Sequence, residues 1–118
     1  MQINIVIKGK CISKDNEKTF NRKTGRPFTS AKYKSYANDV AWQAKQQIDI
    51  VLTKDLIVIA EFFMPDKRCC DLTNLPKGCF DALNGIAWVD DKQIKYCTLM
   101  LKYDKDNPRV EIKCKEIE

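Results

Sequence analysis

The eight residues Leu56–Phe63 form a nearly continuous run of apolar and β-branched side chains. A run of this length and composition is typical of a strand inside a sheet, with a neighbouring strand on each side and cover on both faces. Pro65 follows almost at once, and a proline cannot donate a hydrogen bond to a sheet. We therefore predict a central strand, covered on both faces, that ends near Met64.

The rest of the chain contains patterns for neighbours of this strand. Apolar residues alternate on one side of the first segment, recur at helical spacing after Ser30, which can cap a helix, and return to strand-like patterns near the end. The predicted elements, in chain order, are a strand at Gln2–Lys8, a helix from about Ser30 to Ile50, the central strand, a helix from about Thr73 to Asn84, and strands at about Gln93–Tyr103 and Arg109–Lys115.

This β-α-β-α-β-β order predicts one α/β domain over residues 1–118, with a mixed sheet and a C-terminal hairpin. The length of 118 residues is that of a single domain. Residues 9–29 lack an apolar pattern, and we predict a long loop there. Loops of this length inside a compact domain are usually functional.

The residue types that are present exclude several classes of chemistry. The chain has no histidine, so a Ser-His-Asp triad and a Cys-His dyad are both impossible. Its six cysteines lack the spacing of a disulfide framework or a zinc module, and we expect reduced thiols. No apolar run reaches the ~18 residues of a membrane span, and the N-terminus lacks a secretory signal. We expect a cytoplasmic protein without a small-molecule cofactor.

The net charge of +5 is unevenly distributed. The segment from Lys8 to Lys34 contains nine basic and two acidic residues, which gives it +7 and leaves −2 for the rest of the chain. Such a concentration is expected of a surface that binds a polyanion. A solubilising surface is an equally good interpretation of the charge alone.

Charged residues bracket and line the second predicted helix. Asn74, Lys77 and Asp81 recur at i, i+3 and i+7 and should project from one face. Asp71 comes just before the helix, and Asp90-Asp91 comes just before the next strand.

If the sheet brings the two loops together, Asp71, Lys77 and Asp91 can converge. Carboxylates are the ligands that Mg²⁺ prefers, and a bound Mg²⁺ can activate water and neutralise charge on a phosphodiester. Lys77 can add a positive point charge to the same transition state. The alternative roles are a helix cap for Asp71, a solvated turn for Asp90-Asp91, and a solvated helix face for Lys77.

The segment from Met64 to Asp91 resembles the signature of the RusA family of Holliday junction resolvases. The resemblance rests on the stretch M-P-D-K-R-C-C-D-L-T-N-L-P-K at 64–77, on F-D-A-L-N-G at 80–85 and on W-V-D-D at 88–91. It implies a RusA-like fold and a homodimeric DNA endonuclease that depends on Mg²⁺, with Mn²⁺ as a substitute. Members make paired nicks across a four-way junction in recombination and repair, and occur in bacteria and prophages.

The resemblance also implies roles for individual residues. Asp71, Lys77 and Asp91 match the catalytic positions, and Asp71 and Asp91 match metal ligands, with Asp90 as a neighbouring ligand or orienting group. The candidate DNA contacts are the basic residues of the two predicted loops: Lys14, Arg22, Lys23, Arg26, Lys67 and Arg68.

One position departs from the family pattern: Thr73 stands where members carry a second motif aspartate. Asp66 or Asp90 could supply the missing carboxylate. This leaves a second hypothesis, a catalytically impaired DNA-binding dimer of the same fold. A third is an unrelated α/β domain. For a dimer, the candidate interface residues are Trp42, Phe62 and Phe63.

Overall fold

The computed structural model describes residues 1–13, 18–20, 27–29, 31–68 and 71–117, with only the backbone at 18–20 and 27–29. The elements are β1 (Gln2–Lys8), β2 (Lys18–Phe20), β3 (Pro27–Thr29), α1 (Ala31–Gln47), β4 (Leu56–Met64), α2 (Leu75–Leu83), β5 (Ile94–Tyr103) and β6 (Arg109–Glu116). Two single turns of 3-10 helix, Leu72–Asn74 and Asp91–Gln93, lie before α2 and β5 respectively.

Four strands form one mixed sheet in the order β1-β6-β4-β5. β6 runs antiparallel to both of its neighbours, whereas β4 and β5 are parallel and are connected through α2. The mixed α/β fold is confirmed, and the apolar run at Leu56–Phe63 is an internal strand as its composition predicts. The helix from Ser30 begins at Ala31 in the described residues, and Ser30 itself lies outside them.

The two C-terminal strands are arranged differently from a simple hairpin. They are antiparallel and joined by the predicted turn at 104–108, but β4 lies between them and pairs with both. The turn therefore passes the end of β4, where the Asp104 N–H donates to the Met64 carbonyl at 2.8 Å. β4 is the most apolar strand, so an internal position satisfies its backbone on both sides.

The predicted cover on both faces of β4 is wrong. Burial alternates along the strand: Val58 and Phe62 are fully buried, whereas Ile59 is 38% exposed. Both helices thus cover one face of the sheet, and the opposite face is open in the described residues. The predicted long loop at 9–29 also contains a short antiparallel pair, β2 and β3.

The core lies between the covered face of the sheet and the two helices. Alternate residues of β1, β4 and β6 pack against Val40 and Ala44 of α1 and Leu75, Cys79 and Leu83 of α2. The helices are also joined by a hydrogen bond, because the buried Tyr33 hydroxyl donates to the Gly78 carbonyl at 2.8 Å. This contact fixes α2, which carries several of the candidate site residues.

The two outer edges of the sheet are treated differently. At the β1 edge, two glutamines of α1 pair with the strand backbone as another strand would. Gln47 accepts from the Val6 N–H at 2.8 Å and donates to the Val6 carbonyl at 2.7 Å. Gln43 makes the same pair of bonds with Lys8, at 2.8 and 3.0 Å. In the described residues, no strand pairs with the outer edge of β5.

Two expectations on composition can be compared with the structure. Cys11, Cys79, Cys97 and Cys114 are free thiols, as expected, although Cys97 is exposed rather than packed among apolar neighbours; Cys69 and Cys70 lie outside the described residues. Within the described residues, neither helix has the length and apolar character needed to cross a membrane.

Candidate active site

A rigid loop follows α2 and leads to the two consecutive aspartates. Trp88 is fully buried, stands edge-on to Phe80 with ring centroids 5.6 Å apart, and donates from its indole N–H to the Asn84 side chain at 2.8 Å. Gly85 has a φ of 80°, a left-handed conformation that favours glycine. The predicted end of the helix near Asn84 is thus confirmed, and Trp88 fixes the loop to the core.

Asp90 and Gln93 then form a reciprocal cap around the 3-10 turn at 91–93. The Asp90 carboxylate accepts from the Lys92 N–H, and the Gln93 side chain accepts from the Asp90 N–H, both at 2.9 Å. The Gln93 amide also donates to the carbonyls of Leu52 and Lys54, at 3.0 and 2.8 Å. Asp90 therefore acts here as the residue that orients the turn on which Asp91 lies.

The Asp91 carboxyl group lies within hydrogen-bonding reach of Asp81 on α2 and of its neighbour Asp90. Partial burial, the hydrogen bonds to Asp81 and Asp90, and the negative charges of both raise the pKa of Asp91 to about 6. The Lys92 N–H and the hydrogen bond with Asp91 hold the pKa of Asp90 below its usual value. Two carboxyl groups this close share a proton or a cation.

Asp81 is a site residue that the sequence reasoning did not select. It had been placed on one helix face with Asn74 and Lys77, but the contact with Asp91 depends on the path of the 84–90 loop. Its spacing of four residues from Lys77 was the available signal, since residues at i and i+4 lie on one face.

Asp71 and Lys77 lie in the first half of the segment that connects β4 to β5 through α2. Asp71 is exposed and begins the 3-10 turn through its carbonyl, which accepts from the Asn74 N–H at 3.0 Å; its side chain makes no capping hydrogen bond. The interpretation of its carboxylate as a cap is therefore wrong. Lys77 is exposed on α2, and Thr73 is exposed within the turn.

The described residues bring Asp91 together with Asp81 and Asp90. Among the described residues, no three carboxylate or thiol groups form a cluster that could hold a metal ion. The predicted convergence of Asp71 and Asp91 on one ion stays a prediction. Asp66 is engaged elsewhere, because it accepts from the Arg68 N–H at 2.9 Å and pairs with the Arg68 guanidinium at 3.6 Å.

The candidate DNA contacts divide into two groups. Lys67 and Arg68 are exposed in the loop after β4, and the Lys67 ammonium lies 5.8 Å from the ring centroid of Tyr103. The remaining candidates lie outside the described residues: Lys14, Arg22, Lys23 and Arg26.

The three candidate interface aromatics occupy different environments. Phe62 is fully buried in the core, so its proposed role in an interface is wrong. Phe63 is half-buried on the open face of the sheet, with the Arg109 guanidinium 3.7 Å from its ring centroid. Trp42 is 64% exposed on α1 and remains available.

Comparisons with known proteins identify relatives of this chain. The family described as endodeoxyribonuclease RusA matches residues 8–115. A crossover junction endodeoxyribonuclease RusA of Escherichia coli strain K12 is 37% identical over 81 residues, covering 67% of this chain and 68% of the relative. A protein of the same name from Enterobacteria phage 82 has the same identity and coverage, and one from Shigella sonnei is 36% identical over the same share.

Proposed function

The chain belongs to the RusA family of endodeoxyribonucleases, and on that premise we propose that it is a divalent-metal-dependent nuclease that resolves four-way DNA junctions. The observation that carries this proposal is the pairing of Asp91 with Asp81 on a loop that the core holds in place. Relatives named crossover junction endodeoxyribonuclease, including one from a phage, support junction DNA as the substrate.

The donor set fits a hard divalent cation. The ligands available at this site are the carboxylate oxygens of Asp91, Asp81 and Asp71. Two adjacent carboxylates repel each other less when a cation lies between them. We propose that Asp71 and Asp91 are the main ligands, with Asp81 beside Asp91. A bound Mg²⁺ or Mn²⁺ would supply an activated water and charge neutralisation on the phosphodiester.

We propose roles for the remaining side chains as well. Asp90 and Gln93 orient Asp91 by capping the turn on which it lies. Lys77, on the same helix as Asp81, provides a positive charge near the pentacoordinate transition state of phosphodiester cleavage. The basic residues of the two loops, from Lys14 to Arg26 and at Lys67 and Arg68, bind the phosphates of the DNA arms.

We further propose a homodimer, because the geometry of the substrate requires it. A four-way junction has two-fold symmetry, and productive resolution needs two cuts related by that symmetry. One chain offers one carboxylate site, so two copies related by a two-fold axis supply both cuts at a fixed separation. Sedimentation equilibrium at micromolar protein should give twice the mass of 13.7 kDa.

The second candidate function is a DNA-binding dimer with impaired catalysis. The observation in its favour is Thr73, which is exposed in the turn after Asp71 and brings no carboxylate to the site. Under this alternative the protein binds junctions with the same salt dependence but does not cut them in any divalent metal.

The experiment that separates the two is a titration of Mg²⁺ and Mn²⁺ against an end-labelled four-way junction. We expect paired nicks that depend on the metal, and binding without cleavage in EDTA. Binding without cleavage at every concentration of both metals would overturn the nuclease proposal in favour of the impaired dimer. Equal affinity for a four-way junction and a linear duplex would overturn the proposed junction preference.

A further inference from the structure

The outer edge of β5 is the longest strand edge that the described residues leave without a neighbour. β5 has ten residues, and three of its large side chains are well exposed: Tyr96 at 62%, Met100 at 41% and Tyr103 at 46%. A long, exposed, partly apolar edge strand presents unpaired N–H and C=O groups that a second strand can bind.

Charged side chains commonly protect such an edge, but the two lysines of β5 are engaged within their own chain. Lys95 donates from its ammonium to the Lys92 carbonyl at 3.0 Å. Lys102 forms an ion pair with Glu61 on β4 and lies 5.4 Å from the ring centroid of Phe63. Both ammonium groups thus have partners within their own chain.

At the opposite edge of the same sheet, α1 occupies the position that a partner strand would need. The Gln43 and Gln47 amides satisfy the outward N–H and C=O groups of Val6 and Lys8. A strand can therefore be added to this sheet much more readily at β5 than at β1.

We propose that two copies of this chain associate by antiparallel pairing of their β5 strands, which forms a continuous eight-stranded sheet across a two-fold axis. This inference rests on the homodimer of the proposed function and assigns its interface. The occupant is a second copy because a two-fold axis lets one strand edge bind itself without any further surface.

The two-fold axis limits the pairing register. An axis perpendicular to the sheet keeps each face continuous. Side chains alternate between faces from Tyr96 to Tyr103, beyond the register shift at Lys95, so directly opposed residues in this stretch must both be odd or both be even. A register centred on Leu99 places Lys102 opposite Tyr96 of the second copy, where a cation–aromatic contact is favourable.

This register also extends to the active site. The start of β5 in one copy then runs alongside the end of β5 in the other, so the turn at 91–93, which carries Asp91, lies near the second copy's turn at 105–107. Lys105 of that turn is exposed. Each site is then bordered by a basic side chain from the other subunit, and the separation of the two sites is set by the length of the paired strands.

The register can be tested with engineered cysteines on the open face. In a background with Cys69, Cys70 and Cys97 changed to serine, the register centred on Leu99 brings Thr98 of one copy opposite Met100 of the other. Opposed residues in antiparallel strands have Cα atoms about 4.5–5.5 Å apart, which suits a disulfide. We expect the Thr98→Cys/Met100→Cys double variant to form a covalent dimer under mild oxidation, and each single variant to remain uncrosslinked.

A dimer formed by the T98C single variant would overturn the Leu99 register, and the absence of crosslinking in all three variants would overturn β5 pairing. The diagnostic must be read together with sedimentation of the unmodified protein. If that protein is a dimer and the variants do not crosslink, the interface alone is wrong. If it is a monomer at micromolar concentration and on junction DNA, the homodimer of the proposed function fails as well.

A matched pair of charge substitutions provides a second test that needs no oxidation. Val6 and Met100 lie at opposite ends of one cross-strand row, on the open face, with exposures of 38% and 41%. Met100→Lys should raise the dimer dissociation constant by about tenfold or more, because it places a charge near the centre of the interface. Val6→Lys should leave it unchanged. Equal weakening by both would indicate that the open sheet face, rather than the β5 edge, is the interface.

Discussion

The two ends of the active-site crossover are built in opposite ways. The rear end, from Asp81 to Gln93, is tied to the core by Trp88, by the Asp90–Gln93 cap and by the bonds of Gln93 to the carbonyls of Leu52 and Lys54. The front end, from Asp66 to Lys77, presents exposed side chains, and the Asp71 carboxylate makes no capping bond.

This difference separates positioning from chemistry. At the rear end, most polar groups are used to hold one carboxylate, Asp91, against Asp81. At the front end, the Asp71 carboxylate is exposed and makes no capping hydrogen bond. We infer that the rear end is the fixed half of a metal site and that the front end completes it when metal and DNA phosphate are present. The predictions below test this division.

The largest expected effect is the loss of cleavage when the Asp71 carboxylate is neutralised, compared with neutralising Asp90. Asp71→Asn should reduce junction cleavage by about 10²–10³-fold, since the loss falls on transition-state stabilisation, while binding in Ca²⁺ is retained. Asp90→Asn is the matched control, because asparagine caps as well as aspartate, and cleavage should fall by less than about tenfold. Single-turnover cleavage rates and gel-shift titrations measure both. An equal loss in the two variants would make Asp90 a ligand and would break the comparison.

The next effect is on the stability of the rear end. Gln93→Ala removes three hydrogen bonds. It leaves the Asp90 N–H and the Lys54 carbonyl without the Gln93 partner, whereas the Leu52 carbonyl still accepts from the Val89 N–H at 3.3 Å. The free energy of unfolding should fall by about 2 kcal/mol. The exposed neighbour Lys92→Ala should change it by less than about 0.5 kcal/mol. Urea unfolding followed by tryptophan fluorescence provides the measurement, because Trp88 is fully buried whereas Trp42 is already exposed in the folded protein. A Gln93 variant as stable as the parent would show that the cap does not hold this loop.

A gain of function tests the front end. Thr73→Asp introduces a second carboxylate into the turn that follows Asp71, and additional ligand charge tightens the binding of a hard cation. The Mg²⁺ concentration for half-maximal cleavage should fall by about threefold to tenfold. Thr73→Asn, which adds an amide of similar size without charge, should leave that concentration nearly unchanged. If both variants behave alike, position 73 does not contribute to the metal site.

The smallest effect is a pH dependence of stability without metal. Partial burial, together with Asp81 and Asp90, raises the pKa of Asp91 to about 6 in the folded protein. The protonated carboxyl group therefore stabilises the fold below the unfolded pKa of about 3.9. That contribution is lost as the pH rises through 6. In EDTA, the free energy of unfolding should fall by about 1 kcal/mol between pH 4.5 and 7.5, a value reduced for solvent screening. The melting temperature should fall by a few degrees over the same range. In the Asp91→Asn variant, this component should be absent; a parent-like slope there would assign it to other groups.

The sequence predicts the elements of this fold better than their pairing. The apolar run at 56–63, the alternation at 2–8 and the end of the second helix near Asn84 are local patterns, and each is found in the structure. Local patterns do not say which strand lies next to which, and so the insertion of β6 between β1 and β4 could not be read from them. The same holds for Asp81, because its contact with Asp91 depends on the path of the 84–90 loop.

The glutamine pairs at the β1 edge have a consequence for assembly. A sheet with two open edges can add copies at both sides and grow without limit, as a fibril does. Here one edge already carries four side-chain hydrogen bonds from α1, so association through the other edge uses up the last site for strand addition. Under the proposed β5 pairing, self-association through this sheet would therefore stop at two copies, a closed assembly whose size is set by two side chains on a helix.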